Sequence, residues 1–203
     1  MSLSRKATLV VIIILIIDQA SKIIVKTTMP LGATQPVFGG WFLIRFIENP
    51  GMAFGIDIPG RLGKPALTLF RVIAVVIIGW YLRTLIQRKA PLAFIVFLSM
   101  ILAGAIGNII DSMFYGMIFS ESSYFEAATL FPKGPGYEKF LHGRVVDMLY
   151  FPIIEGNYPE WFPFKGGQKF IFFRPIFNIA DSSISIGVAC IFLFQRKYLR
   201  EMH

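Results

Sequence analysis

The sequence predicts an α-helical polytopic membrane protein: four transmembrane helices, N and C termini cytoplasmic, with a small extracytoplasmic β-sheet and an interfacial loop or helix. Three observations predict it. The 203 residues are 55% hydrophobic and only 16% charged, against about 25% charged in an ordinary soluble domain. The apolar residues fall in runs of about the length that crosses a hydrocarbon core, roughly 20 residues. The basic residues flank those runs. Arg5, Lys6, Arg83, Arg88, Lys89, Arg196, Lys197 and Arg200 lie in the N-terminus, one short connector and the C-terminus, where Glu201 is the only acid. The positive-inside rule places all three segments in the cytoplasm. A single membrane domain, 1–203, then has spans at about 7–26, 66–87, 91–115 and 176–195, with outer loops 27–65 and 116–175.

The first run, Ala7–Ile17, has the basic start of a secretory signal peptide. A retained span ranks higher, because apolar character resumes at Ile23-Ile24-Val25 and further spans follow. Asp18 and Lys22 are four apart and share one helical face; an ion pair at a helix end is a competing account of Lys22. Residues 27–64 are broken by Pro and Gly and cannot form a long helix. Phe38–Ile47 reads as short strands, and Glu48-Asn49-Pro50-Gly51-Met52-Ala53-Phe54-Gly55 as a turn followed by a small-residue strand. Its glycines would admit an extended peptide, although this stretch taken alone is better read as a plain hairpin.

Leu67–Leu82 forms the second span, with Arg71 near its start and Trp80 and Tyr81 as an aromatic belt. Leu92–Ile110 forms the third, in which Gly104 and Gly107 let a neighbouring helix approach, followed by Asn108 and Asp111. In the second outer loop Glu121–Thr129 reads as a short amphipathic helix, Leu141–Phe151 as a strand or turn carrying Asp147, and Tyr158–Phe164 as a segment on the bilayer surface. Ile176–Phe194 is the fourth span and carries Asn178 and Asp181 at its start.

Net charge is +8, but the cations are spread along the membrane boundaries, which fits lipid anchoring and not nucleic acid. Cys190 is the only cysteine, so no intramolecular disulfide forms; it reads as a small buried hydrophobe. Helix direction gathers the polar residues. Asp18 and Asp111 come late in outward-running helices, Asn178 and Asp181 early in an inward-running one, and Asn49 and Asp147 in the outer loops. All fall at the outer leaflet.

Two carboxylates brought close there would share a proton, one ionised and one neutral. Such a pair can hydrolyse a peptide without a metal or a covalent intermediate. Ser182, Ser183 and Ser185 lack an evident base, since the histidines are His142 and His203, and a zinc site would want more nitrogen or sulfur ligands. A carboxylate cage for a hard cation stays open. Proton- or cation-coupled transport is the main rival, although the inner halves of the spans are nearly free of charge. Helix capping alone could account for Asp111.

Five ordered motifs add a resemblance: Asp18-Gln-Ala-Ser-Lys22, Asn49-Pro-Gly-Met-Ala-Phe-Gly55, Gly104-Ala-Ile-Gly-Asn108-Ile-Ile-Asp111, Gly143-Arg-Val-Val-Asp147 and Phe177-Asn-Ile-Ala-Asp181-Ser. Together they resemble the lipoprotein signal peptidases (signal peptidase II) across nearly the whole chain. The resemblance implies an intramembrane aspartyl endopeptidase of the bacterial cytoplasmic (inner) membrane, with no cofactor or metal. Its implied substrate is a prolipoprotein signal peptide, cut before the diacylglyceryl cysteine; membrane lipids and a cyclic-peptide inhibitor such as globomycin are the other implied partners. It implies Asp147 and Asp181 as the catalytic pair, with Asp18, Lys22, Asn49, Gly51, Gly107, Asn108, Asp111, Asn178 and Ala180 as supporting or substrate-holding positions. The chain departs from the family at Ser112, where an Arg is expected, and Arg144 is the candidate to stand in for it. Residues 116–141 are longer than in compact members, with Tyr124, Phe125 and Phe131 suggesting an interfacial flap.

Overall fold

A computed structural model of the chain describes residues 1–50, 63–172 and 175–201. The element order is α1 (Leu3–Thr28), β1 (Thr34–Phe38), β2 (Phe42–Asn49), α2 (Gly63–Gln87), α3 (Leu92–Ile110), α4 (Gly116–Ile118), β3 (Val145–Tyr150), β4 (Ile154–Asn157), β5 (Lys169–Phe172), β6 (Ile176–Phe177) and α5 (Ile179–Glu201). A π-helical turn, Asp111–Tyr115, joins α3 to α4. α3 is the central helix and packs against α1, α2 and α5. Glycine makes that possible. A Cβ on Gly104 would lie 2.3 Å from the Ala180 carbonyl, and one on Gly107 would lie 2.6 Å from Asp18 Oδ2. Small residues at a helix interface let backbones close up, and here they also leave room for a buried carboxylate.

Among the described residues, three helical stretches are long and apolar enough to cross a membrane: Leu3–Thr28, Thr68–Gln87 and Leu92–Ile118. Ile13, Ile16 and Ile17 on α1, and Phe70, Ile73 and Val76 on α2, are exposed, as lipid-facing positions would be. The apolar part of α5, Ile179–Phe194, is shorter. The fourth run therefore starts as helix at 179 and not at 176, because Ile176 and Phe177 pair with Tyr150 and Leu149 as a strand.

The main sheet is antiparallel in the order β1-β2-β3-β6, and β4 pairs with β5 in a separate hairpin. The short strands predicted over 38–47 are the end of β1 and most of β2, with the chain reversed at Gly39 (φ 53°) and Gly40. β3 begins with the β-branched pair Val145-Val146, suited to a buried strand. Its Val146 and Met148 face an apolar cluster with Val25, Met29, Phe46, Tyr115 and Phe119. Alternation then turns Asp147 to the opposite face. A second apolar cluster, Ala7, Leu82, Leu85, Ala90, Phe94, Ile95 and Leu98, closes the other end of the bundle. A polar layer lies between the two clusters.

Glu121–Thr129 is not a helix. Phe119 and Leu130 form a β-bridge, Ser120 N donates to Thr129 O, and Ala128 N donates to Lys26 O. Ser123 Oγ accepts from the backbone N–H groups of Phe125 and Glu126. A serine hydroxyl that captures the local N–H groups competes directly with helical hydrogen bonding. Gly51 and the rest of the 51–55 strand lie outside the described residues.

Candidate active site

Construction begins at the N-terminus of α5. The first N–H groups of a helix have no intrahelical acceptor, and two side chains from within the helix start and one from α1 satisfy them. Asn178 Oδ1 accepts from Asp181 N at 2.9 Å, and Asp181 Oδ2 accepts from Asn178 N at 3.4 Å. This is a reciprocal capping box in an Asn-x-x-Asp sequence. Asp18 Oδ1 accepts from Ala180 N at 2.9 Å, a carboxylate set against the positive end of the helix dipole. Ala180 is fully buried against Gly107, so a larger side chain has no room there.

Lys22 binds the layer together. Its Nζ lies 2.9 Å from both Asp18 Oδ2 and Asp111 Oδ2, and it donates to Asn108 Oδ1 at 3.1 Å. Lys22, Asp18 and Asp111 are fully buried. The π turn begins at Asp111, which also accepts from Gln19 Nε2 at 2.9 Å and from Val146 N at 3.3 Å. Asp111 thus ties α3 to α1 and to β3, a role well beyond capping its own helix. Gln19, which the sequence reading did not single out, also donates to Asp18 and to Gly107 O. Its adjacency to Asp18 was the available signal.

Asp147 and Asp181 come from β3 and α5 and meet through two asparagines. Asn178 Nδ2 donates to Asp147 Oδ1 at 2.8 Å, and Asn108 Nδ2 donates to Asp181 Oδ1 at 2.8 Å. The two amides are themselves joined, Asn178 Nδ2 to Asn108 Oδ1, at 3.2 Å. Pairing of β2 with β3 sets Ile47 opposite Asp147 and Asn49 opposite Val145. Asn49 is therefore a diagonal cross-strand neighbour of Asp147, and it hydrogen-bonds the carboxylate. Asp147 is 5% exposed, whereas Asp181 is partly open. Burial, followed by the charge of Asp181, pushes Asp147 up to about 7, against the pull of Asn49, Lys22 and Asn178. Among the described residues, no three His, Cys, Asp or Glu side chains are grouped to hold a metal ion.

Arg144 lies elsewhere. Its Nη1 donates to Glu48 Oε2 at 2.9 Å and to Glu121 Oε1 at 2.6 Å, with the guanidinium 5.0 Å from the Tyr137 ring centroid. Arg144 is the expected stand-in for the Arg missing at position 112, and the carboxylates it pairs with are Glu48 and Glu121. Glu48 also pairs with Lys26 and accepts from Ser122 Oγ at 2.8 Å. Lys26, which the sequence reading did not single out, follows Lys22 by four residues on the same helical face, and that spacing was the available signal.

Helices of membrane length, a small sheet at one end and four acids gathered beneath it define a polytopic membrane protein with one acid-rich buried site. Comparison with known proteins gives the family. The signal peptidase (SPase) II family model matches residues 10–196, and the chain belongs to that family of peptidases. A lipoprotein signal peptidase of Porphyromonas gingivalis is 54% identical over 179 residues, covering 88% of this chain and 77% of that protein. One from Amoebophilus asiaticus is 34% identical over 195 residues, covering 95% and 78%. A solved bacterial membrane enzyme shares 28% identity with a TM-score of 0.61, covering 95% of this chain and 88% of that one.

Proposed function

We infer that this chain is an aspartyl endopeptidase that removes the signal peptide from diacylglyceryl-modified prolipoproteins, cutting before the lipidated cysteine. The observation that carries the aspartyl reading is the Asp147–Asn178–Asn108–Asp181 chain of hydrogen bonds. It holds two carboxyl groups of unequal burial at one place. Two such groups cannot both ionise cheaply, so one keeps a proton. Asp147, raised to about 7, is the proton holder. The more open Asp181 is the ionised partner and takes a proton from the attacking water. Asp147 then donates to the carbonyl oxygen of the scissile peptide, and the pair returns to one shared proton as the amine leaves. Asn49, Asn108 and Asn178 orient the carboxyls. Asp18, Lys22 and Asp111 anchor the frame on which they stand, Gly107 and Ala180 keep that frame close-packed, and Gly51 belongs to the peptide-holding segment.

The apolar stretch Ile179–Phe194 serves as a fourth, short span, with both termini cytoplasmic by the Lys/Arg distribution. That topology sets the site at the outer leaflet of the inner membrane, the depth at which a diacylglyceryl cysteine is anchored. A cyclic peptide such as globomycin would bind across the acid pair.

The test is cleavage of a diacylglyceryl precursor by the purified chain in lipid, with chelator present. Asp147→Asn and Asp181→Asn should each lower the rate by about 10³-fold or more while the protein stays folded and inserted in lipid. Normal processing by either variant would end the assignment. Loss of all cleavage by chelator would move it to a metal site.

A further inference from the structure

α2 contributes one charged side chain to the neighbourhood of the polar layer. Arg71 is partly buried on this lipid-exposed helix and extends Nη1 to Ser112 Oγ at a long 3.4 Å. Ser112 is 3% exposed, sits next to Asp111 in the π turn, and donates its own proton to Asn108 O at 3.0 Å. A neutral hydroxyl does not balance a guanidinium, and a cation withdrawn from water persists only near opposite charge. The charges that Arg71 faces are Asp181 of α5, Asp111 of the π turn and Asp147 of β3. These are both members of the candidate pair and the acid behind them.

Charge counting shows what the guanidinium adds. Among the described residues other than Arg71, Asp18, Asp111, Asp147 and Asp181 stand against Lys22, which leaves three negative charges when all four acids are ionised. One shared proton leaves two. With Arg71 included, one remains, the ionised member of the pair. Lys22 is committed to Asp18 and Asp111, so among the described residues the further positive charge near Asp181 is Arg71 of α2.

We propose that Arg71 is a positioning residue for this active site: its guanidinium, seated on Ser112, supplies the second positive charge that keeps the carboxyl pair at one net negative charge and faces that charge toward the substrate side. The proposal rests on the aspartyl reading above. It also gives the π turn a purpose, since Ser112, the first residue after Asp111, receives α2 at the level of the pair.

The experiment is the pH dependence of kcat/KM for the full chain in lipid, with the diacylglyceryl precursor, for wild type, Arg71→Lys and Arg71→Gln. Asp147→Asn serves as the inactive reference. Without the cation the pair takes up its second proton more readily, so Arg71→Gln should move the acid limb upward by about half a pH unit or more. It should also lower kcat about tenfold near neutrality. Arg71→Lys should return the limb to within a few tenths of a unit of wild type. If Arg71→Gln does not accumulate, Arg71→Met, apolar and of similar length, takes its place. Reduced activity with an unmoved acid limb would make Arg71 a mere tie between helices and overturn the proposal, as would a limb that moves equally in Arg71→Lys. Cleavage by Asp147→Asn would overturn the aspartyl reading itself, a separate failure.

Discussion

Two charge networks hang from one face of α1, a single turn apart, each with a buried lysine at its centre, and they are built to opposite ends. Around Lys22 the acids outnumber the cations: Asp18 and Asp111 touch the ammonium, and Asp147 and Asp181 stand behind Asn108 and Asn178. Around Lys26 the charges balance, two cations to two acids: Lys26 and Arg144 against Glu48 and Glu121. That network is closed further by the rings of Phe46, Phe119 and Tyr137, which surround Lys26 Nζ at 5.9, 5.3 and 4.9 Å. The balanced network clasps the 119–144 loop to α1 and β2. The unbalanced one keeps a carboxyl poised to hold a proton. Excess acid is costly in a membrane protein, and where it persists it marks a candidate functional site.

The largest effect expected outside the carboxyl pair is that of Lys22→Met. It leaves Asp18 and Asp111 buried without their counter-ion and should cost about 3–5 kcal/mol, read as a fall in unfolding temperature in detergent or lipid together with loss of cleavage. Wild-type stability would show that the layer does not depend on Lys22. Lys26→Met is the matched change in the balanced network. Glu48 keeps Arg144 and Ser122 as partners, so the cost should be smaller, about 1–3 kcal/mol, and the folded protein should cleave at the wild-type rate. A large loss of kcat in a fully folded Lys26→Met protein would erase the distinction between the two networks.

Titration sharpens the same comparison, because Glu48 of one network and Asp147 of the other shift in opposite directions. Burial by itself would raise Glu48, but the Lys26 charge and the hydrogen bonds from Lys26, Ser122 and Arg144 bring it below the usual carboxylate value of 4.5. Its stabilisation is present above 4.5 and disappears as pH falls through the lower folded value. Asp147 is raised from 3.8 to about 7. The unfolded chain gives up this proton near pH 4 while the folded chain retains it, so the cost to stability accumulates as pH rises from about 4 to about 7. Thermal stability should therefore fall on both sides of a mildly acidic optimum. The alkaline limb of kcat/KM should lie near 7, where the pair loses its shared proton. Asp147→Asn should remove the neutral-side fall in stability and leave the acid-side fall intact. An unchanged stability profile would separate Asp147 from the titration.

Much of the site could be read from the chain because its residues act through local geometry. Asp18 and Lys22 share a helix face by their spacing of four. Asn178-Ile-Ala-Asp181 caps the helix it begins, and Gly104 and Gly107 announce a close helix contact. The errors fell where partners come from distant segments. Glu121–Thr129 has helical composition, yet its hydrogen bonds go to Lys26 O and across a bridge from Phe119 to Leu130. Arg144 is expected to stand in for the Arg missing at position 112, but the acids it pairs with, Glu48 and Glu121, come from segments 96 and 23 residues away in sequence.

The sequence by itself determined the membrane class, the helices and the identity of the acids, since hydropathy, helical period and capping are properties of contiguous residues. Only the tertiary structure decided which acids pair with Lys22 and which are joined instead through Asn108 and Asn178. That choice depends on how the ends of α1, α3 and α5 meet beneath β3, and in a low-dielectric interior a carboxyl's charge is set by the partners within a few ångströms, whatever their distance along the chain.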